Sequence, residues 1–313
     1  MHTNALHHEP LDRRRLRTTG QDGTPGRAMS FVIEDVLIRQ DPIGRRVPVL
    51  FDSPHSGSVY PADFHFACPL PLLRQAEDSY VDELYASVPE HGGTLLLALF
   101  PRTYIDPNRA VDDIAPDMLD GSWPEPLNPT DKSAAGMGLI RTLVRPGMPL
   151  YDGLLPVDEV AERIDRYYRP YHFQLARTLD TLASRFGVVW HVDCHSMPSG
   201  GPGGRAMPDF VIGDRDGTTC DPGFTAYVAG RLRRMGHSVT LNDPYKGVEL
   251  VRRYADPARG RHALQLEVNR GLYMNEETLE RTAGFAALQR TLSALAAEVC
   301  AYAADRTVQR AAE

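Results

Sequence analysis

The stretch VLFDSPHSG (residues 49–57) governs how the whole chain is read. Its apolar run through Phe51 is unbroken rather than alternating, as expected of a strand covered on both faces. Ser53, Pro54 and Gly57 then take the chain out of the sheet. Side chains just past the carboxyl ends of such strands are where α/β proteins place their chemistry, which singles out His55. A second segment, VVWHVDCHS (residues 188–196), ends in the same way. Its last histidine, His195, precedes a small residue, then Pro198 and Gly200. Two strand-end histidines meeting at one sheet edge invite a metal, because neutral imidazole is the commonest zinc ligand.

Around these two segments the sequence alternates between strand-length and helix-length apolar runs. VPVLF, TLLLALF, VVWHVD, DFVIG, HSVTLN and HALQLEV read as strands. Helices are predicted over residues 73–88, over 158–186 with a kink or division at Pro170, and over about 276–303. The expected fold is α/β: a mixed, largely parallel central sheet flanked by helices, in one domain over residues 29–313. Residues 107–156 hold eight prolines and little periodicity, which predicts an irregular loop insertion of functional kind. Residues 1–28 are polar and aperiodic and are expected to be a disordered tail, with Met29 as an alternative start and no ligand role for His7 or His8.

A chain of 313 residues with a net charge of -7 lacks the cationic excess that a polyanion partner demands, so no nucleic-acid role is expected. Cys68, Cys194, Cys220 and Cys300 form no C-x-x-C pair, which fits a reducing cytoplasm. No apolar run reaches the roughly 18 residues of a membrane span. The expected partner is a small molecule.

A catalytic zinc takes about three protein ligands and keeps a place for water. Glu77, Asp78, Asp82 and Glu83 of the 73–88 segment are the acidic candidates for the third, Asp78 and Asp82 standing one predicted helical turn apart. Carboxylates near a helix start also complement the helix dipole without any metal. Glu267, set among Leu264, Leu266 and Val268, is costly to bury alone. It is either a general base beside an activated water or the partner of an arginine such as Arg270. In PRTYIDPNR (residues 101–109), Arg102 and Arg109 flank Asp106 and Asn108. One arginine suits a substrate carboxylate and the other a developing oxyanion, against the plainer reading of a surface turn with an internal Asp-Arg pair.

Other residues carry blander expectations. Cys194 reads as buried packing, with Asp193 expected on the same side as Cys194 in a structural role. His191 reads as a satisfied core histidine, and His262 as either a strand-edge hydrogen-bonding group or a proton-transfer aid. GDRDGTTCDP (residues 213–222) lacks calcium-loop spacing and reads as a turn and helix start. Arg205 and Asp209 are further candidates for substrate contact.

In order along the chain, PHSG…YP, DSYVDELY, RTYIDPNR, DCHS, DFVIGDRDGTTC and KGVELVRRY…G.HALQLEVNRGLYM resemble the N-formylglutamate amidohydrolase family over residues from about 50 to 277. The resemblance implies a phosphorylase/hydrolase-like, zinc-exopeptidase-like fold related to zinc carboxypeptidases and aminoacylase-type deacylases. It also implies hydrolysis of the formyl amide of N-formyl-L-glutamate, or of another short N-acyl amino acid, in histidine breakdown. Carried over, His55, Asp78 and His195 would hold one zinc, or another divalent metal. Glu267 would be the base, Arg102 would face the oxyanion, and Asn108 with Arg109 would hold a substrate carboxylate. Carboxypeptidase relatives place a glutamate three residues after the first histidine. Ser58 stands there in this chain, so the acidic ligand must come from elsewhere. A zinc exopeptidase acting on short peptides and a non-catalytic carboxylate-binding protein are the rival readings.

Overall fold

The structure, a computed structural model, describes residues 30–312; the tail, Met29, His7 and His8 lie outside the described residues. In chain order the strands are β1 (Ser30–Ile33), β2 (Leu37–Gln40), β3 (Val49–Ser53), β4 (Thr94–Ala98), the very short β5 (Leu119–Asp120), β6 (Leu143–Arg145), β7 (Met148–Pro149) and β8 (Leu155–Pro156), then β9 (Val189–Met197), β10 (Phe210–Gly213), β11 (Val239–Leu241) and β12 (Arg261–Asn269). The helices are α1 (Leu70–Arg74), α2 (Val81–Leu84), α3 (Asp131–Ala134), α4 (Val157–Arg163), α5 (Arg169–Phe186), α6 (Pro222–Arg234), α7 (Glu249–Tyr254) and α8 (Phe285–Ala312).

Eight strands form one mixed sheet in the order β1-β2-β4-β3-β9-β12-β10-β11. Its centre, β4-β3-β9-β12, is parallel throughout, while β1, β2 and β10 join antiparallel to their inner neighbours. Four adjacent carboxyl ends therefore open on one edge, which is what a strand-end site requires. Period-two alternation sorts the core. Phe51, Leu97, Val192 and Leu266 pack with Leu84, Leu232 and Leu292 of α2, α6 and α8 on one face. Leu50, Leu96 and Val189 pack with Leu175 and Leu179 of α5 on the other.

All six strands expected from the sequence are present, and the helices differ in instructive ways. The predicted helix over 73–88 is broken. Asp78 sits between α1 and α2, its N–H donated to His55 O at 3.0 Å, and Tyr80 follows at φ 68. A tertiary hydrogen bond to the strand-end loop has overridden local propensity. The helix over 157–186 is continuous through a π turn at Ile164–Tyr168, where Arg169 N–H reaches back five residues to Ile164 O. Pro170 falls at the start of α5, and the widened turn absorbs it. α8 begins at Phe285 rather than near 276, because Leu279 adopts φ 60 and ends any earlier helical run.

The insertion over 107–156 is not irregular throughout. β5 pairs with β8, β6 with β7, and Leu139 and Ile140 are buried in the core. Leu139 N–H donates to Asp113 O, and Asp106 N–H to Leu139 O, both at 2.8 Å, which straps the insertion to the RTYIDPNR segment.

Gly57 shows how tightly the His55 loop is seated. A Cβ there would lie 2.3 Å from Phe100 O, backbone against backbone. Gly57→Ala should therefore cost about 1–3 kcal/mol of stability by overpacking, read as a lower denaturation midpoint. A midpoint within error of the wild type would show that the loop yields.

Candidate active site

Each of the four parallel strands delivers one part of a cluster. β3 leads into His55, β4 into Arg102, β9 carries His195 near its end, and β12 carries Glu267. Glu267 stands directly opposite His195 in the β12/β9 register. Because neighbours in a ladder share a face, both side chains enter the same cavity, of about 330 Å³.

His55, Asp78 and His195 are buried, and their ligand atoms lie within 4.8 Å of one another. Asp78 Oδ2 is 3.0 Å from His195 Nδ1 and 3.5 Å from His55 Nδ1. Two donors about 2.0–2.1 Å from one tetrahedral ion stand roughly 3.3 Å apart, so the set fits zinc. The opposite ring nitrogens are occupied. His55 Nε2 lies 2.7 Å from Asp106 Oδ1, and His195 Nε2 lies 2.8 Å from Asp193 Oδ1. At His55 the Asp106 carboxylate holds the proton on Nε2 and leaves Nδ1 with its lone pair free. His55 Nδ1 is in fact buried with no hydrogen bond.

A further layer holds these partners in place. Asn108 Oδ1 accepts the Leu250 N–H at 2.9 Å, which fixes the amide so that Nδ2 donates to Asp193 Oδ2 at 3.2 Å and touches His195 Nε2 at 3.0 Å. Arg102 grips Asp106 at 2.8 Å and reaches within 3.8 Å of Asp78. Arg270 pairs with Asp78 at 2.9 Å and with Ser196 Oγ at 2.9 Å.

The electrostatics separate the carboxylates. Burial opposes ionisation of Asp78, but hydrogen bonds to His195 and His55 and the charge of Arg102 outweigh it and hold the group well below the usual range. Asp106 is likewise buried, and His55, Arg102 and Arg109 keep it well below that range. Glu267 goes the other way. Burial pushes it up to about 7, aided by Asp78 and Asp193 and opposed by His195 and Arg102. A carboxylate poised near neutrality beside two fully ionised ones is the pattern of an acid-base group.

The structure brings His55, Asp78, His195, Glu267, Arg102, Asn108 and Arg109 to one cavity. It places Asp82 outside the metal-ligand set. The alternative Glu267–Arg270 pair does not form, since Arg270 turns to Asp78 while Gln265 Nε2 donates to Glu267 at 2.7 Å. The internal Asp-Arg pair does form, between Arg102 and Asp106, without removing Arg102 from the cavity. Asp193 shares the face of His195, not of Cys194, as strand alternation requires; applying that alternation strictly would have found it. Cys194 is buried packing. His191 is a buried core histidine bonded through Nε2 to Asp52 at 2.6 Å, its Nδ1 without a hydrogen bond, and His262 stacks on Trp190 at a strand edge, away from the cavity. Arg205 pairs with Asp243 and Asp209 with His237, so neither meets substrate in this cavity. Asp221 caps α6, the helix start expected there. Asp106 as partner of His55, Arg270, Lys132 and Arg141 were not assigned to the site from sequence. The last two lie in the insertion and carry no motif.

A buried carboxylate poised near neutrality next to a His-Asp-His set, at the carboxyl edge of a mixed sheet, is an arrangement that suits hydrolysis with a metal ion. The chain belongs to the N-formylglutamate amidohydrolase family, whose profile matches residues 47–274. It is 33% identical over 242 residues to an N-formylglutamate deformylase of Pseudomonas putida, covering 74% of this chain and 83% of that one. An N-formylglutamate deformylase of Pseudomonas aeruginosa is 32% identical over 243 residues, covering 74% and 84%. The crystal structure of an N-formylglutamate amidohydrolase from Ralstonia eutropha JMP134 superposes with a TM-score of 0.84 at 48% identity, covering 87% of this chain and 99% of that one. An Agrobacterium tumefaciens gene product has the same fold, with a TM-score of 0.61 at 17% identity.

Proposed function

We propose that the chain is a zinc-dependent deformylase, with one zinc on His55, Asp78 and His195, that hydrolyses N-formyl-L-glutamate to formate and glutamate in cytoplasmic histidine breakdown. The observation that carries this reading is Glu267 standing opposite His195 in the parallel ladder, at the floor of a small cavity rimmed by cations. When bound, a zinc ion would polarise the formyl carbonyl and lower the pKa of water. Glu267 takes a proton from the attacking water and returns it to the amine as the C–N bond breaks, so the water oxygen leaves in formate. Arg102 faces the negative charge that builds on the carbonyl oxygen. Arg109 holds the carboxylate next to the amide nitrogen. Asn108, with both ends of its amide engaged internally, positions His195 and Asp193. The insertion walls the cavity with Lys132, Met137 and Arg141, which supports a single acylated amino acid over a peptide.

Formate release from N-formyl-L-glutamate should require stoichiometric zinc, disappear on chelation and return on zinc addition. Full turnover by metal-stripped protein would reject the reading. Glu267 works deprotonated, and burial lifts it to about 7 in the metal-free protein, while an added cation lowers it. kcat/KM should therefore fall about tenfold per pH unit below a pKa at or under about 7. A rate that climbs on acidification would reverse the assigned role.

A further inference from the structure

We propose that Arg141, with Lys132 beside it, is the specificity-determining pair of this cavity, the residues that take the side-chain carboxylate of the N-formyl amino acid. This rests on the deformylase reading above and adds to it the group that chooses the side chain.

The charge inventory of the cavity leads there. Five cations line it, Arg102, Arg109, Lys132, Arg141 and Arg270, against three carboxylates, Asp78, Asp106 and Glu267. Arg102 is taken by Asp106 at 2.8 Å and Arg270 by Asp78 at 2.9 Å. Among the described residues, Arg109, Lys132 and Arg141 have no carboxylate within ion-pair distance. Burial, together with the like charge of Arg102 and Arg109, pushes Arg141 down to about 10, and the same causes lower Lys132. Cations kept together in this way gain from an incoming anion.

The geometry aims them. Arg141 Nε donates to Leu143 O at 2.8 Å and Nη2 to Val144 O at 3.4 Å, so its own hairpin holds the guanidinium and leaves Nη1 for a ligand. Arg109 Nε donates to Met137 O at 2.9 Å, and Met137 is bridged antiparallel to Arg141. The two unpaired guanidiniums are thus fixed relative to each other by a short stretch of backbone. One carboxylate satisfies Arg109, and a second, on the substrate side chain, satisfies Arg141 and Lys132. A neutral side chain would leave Arg141 desolvated beside other cations with no counter-charge, and such a site rejects it.

The test compares N-formyl-L-glutamate with its isosteric amide, N-formyl-L-glutamine, on zinc-loaded full-length protein. Wild type should prefer the acid by about 10²-fold or more in kcat/KM. In Arg141→Met, which keeps the apolar stem, that preference should collapse to within about threefold of unity, chiefly through KM. Arg141→Glu should invert it, favouring Nα-formyl-L-ornithine over the acid, a gain that misfolding cannot mimic. Equal turnover of acid and amide by wild type would overturn the subsite and leave the deformylase reading standing. An intact acid preference in Arg141→Met would do the same. Turnover of no formyl amino acid by the zinc-loaded wild type would overturn both.

Discussion

Glu267→Gln should lower kcat by about 10²- to 10⁴-fold while the protein still binds its metal, because general acid-base catalysis by one positioned group is worth roughly that much. The substitution is isosteric, and the Gln265 Nε2 donor at 2.7 Å can keep its acceptor on the new side-chain carbonyl. The variant should also gain stability when metal-free. Glu267 is raised from 4.5 to about 7 by burial, so between those pH values the folded chain holds a proton that the unfolded chain has released. Wild-type stability therefore drops across that window as pH rises, by about 3 kcal/mol from this group. Glu267→Gln removes that drop, and denaturation at pH 8 should find the metal-free variant more stable than wild type. Near-normal turnover, or loss of metal, would remove Glu267 from its role as base.

Asp78→Asn should weaken metal binding by at least about 10²-fold and activity with it. Oδ2 lies 3.0 Å from His195 Nδ1, and Oδ1 holds Arg270 at 2.9 Å. An amide cannot serve both: its NH2 must oppose either the guanidinium or an imidazole lone pair meant for the metal. Removing the charge also strands Arg270 beside Arg102, a break of a buried pair that costs about 3–5 kcal/mol. Zinc titration and denaturant midpoints read the two effects separately. Asp82→Asn is the contrasting variant, since Asp82 stands outside the ligand set, and its zinc affinity should match wild type. The opposite result, metal lost with Asp82 and kept with Asp78, would exchange their roles.

The parts of this site nearest the sheet were legible because strands announce themselves. An apolar run that ends in a histidine among Pro and Gly carries its position in its own sequence, and His55 and His195 follow from that pattern, while Glu267 follows from standing as a lone carboxylate among apolar strand neighbours. Asp78 was harder. Its segment has helical periodicity, yet the backbone hydrogen bond to His55 O takes it out of any helix, and local propensity carries no trace of a partner some twenty residues away. Arg141 and Lys132 were not legible as site residues at all. They sit in a proline-rich stretch that is tied to the RTYIDPNR segment at Met137 and Leu139, so their place in the cavity is a property of packing. Asp193 was within reach, needing only the rule that residues two apart on a strand look the same way.

The register that sets Glu267 opposite His195 has a consequence for how this enzyme could change over time. Adjacent strands lie about 4.8 Å apart whatever side chains they carry, so the backbone acts as a ruler for the distance between Glu267 and His195. Substitutions on the insertion can redraw the cavity wall without moving that ruler. If Arg141 and Lys132 choose the substrate as proposed, that choice resides apart from the strands that hold Glu267 against His195, and it can drift while the sheet keeps that pair in place.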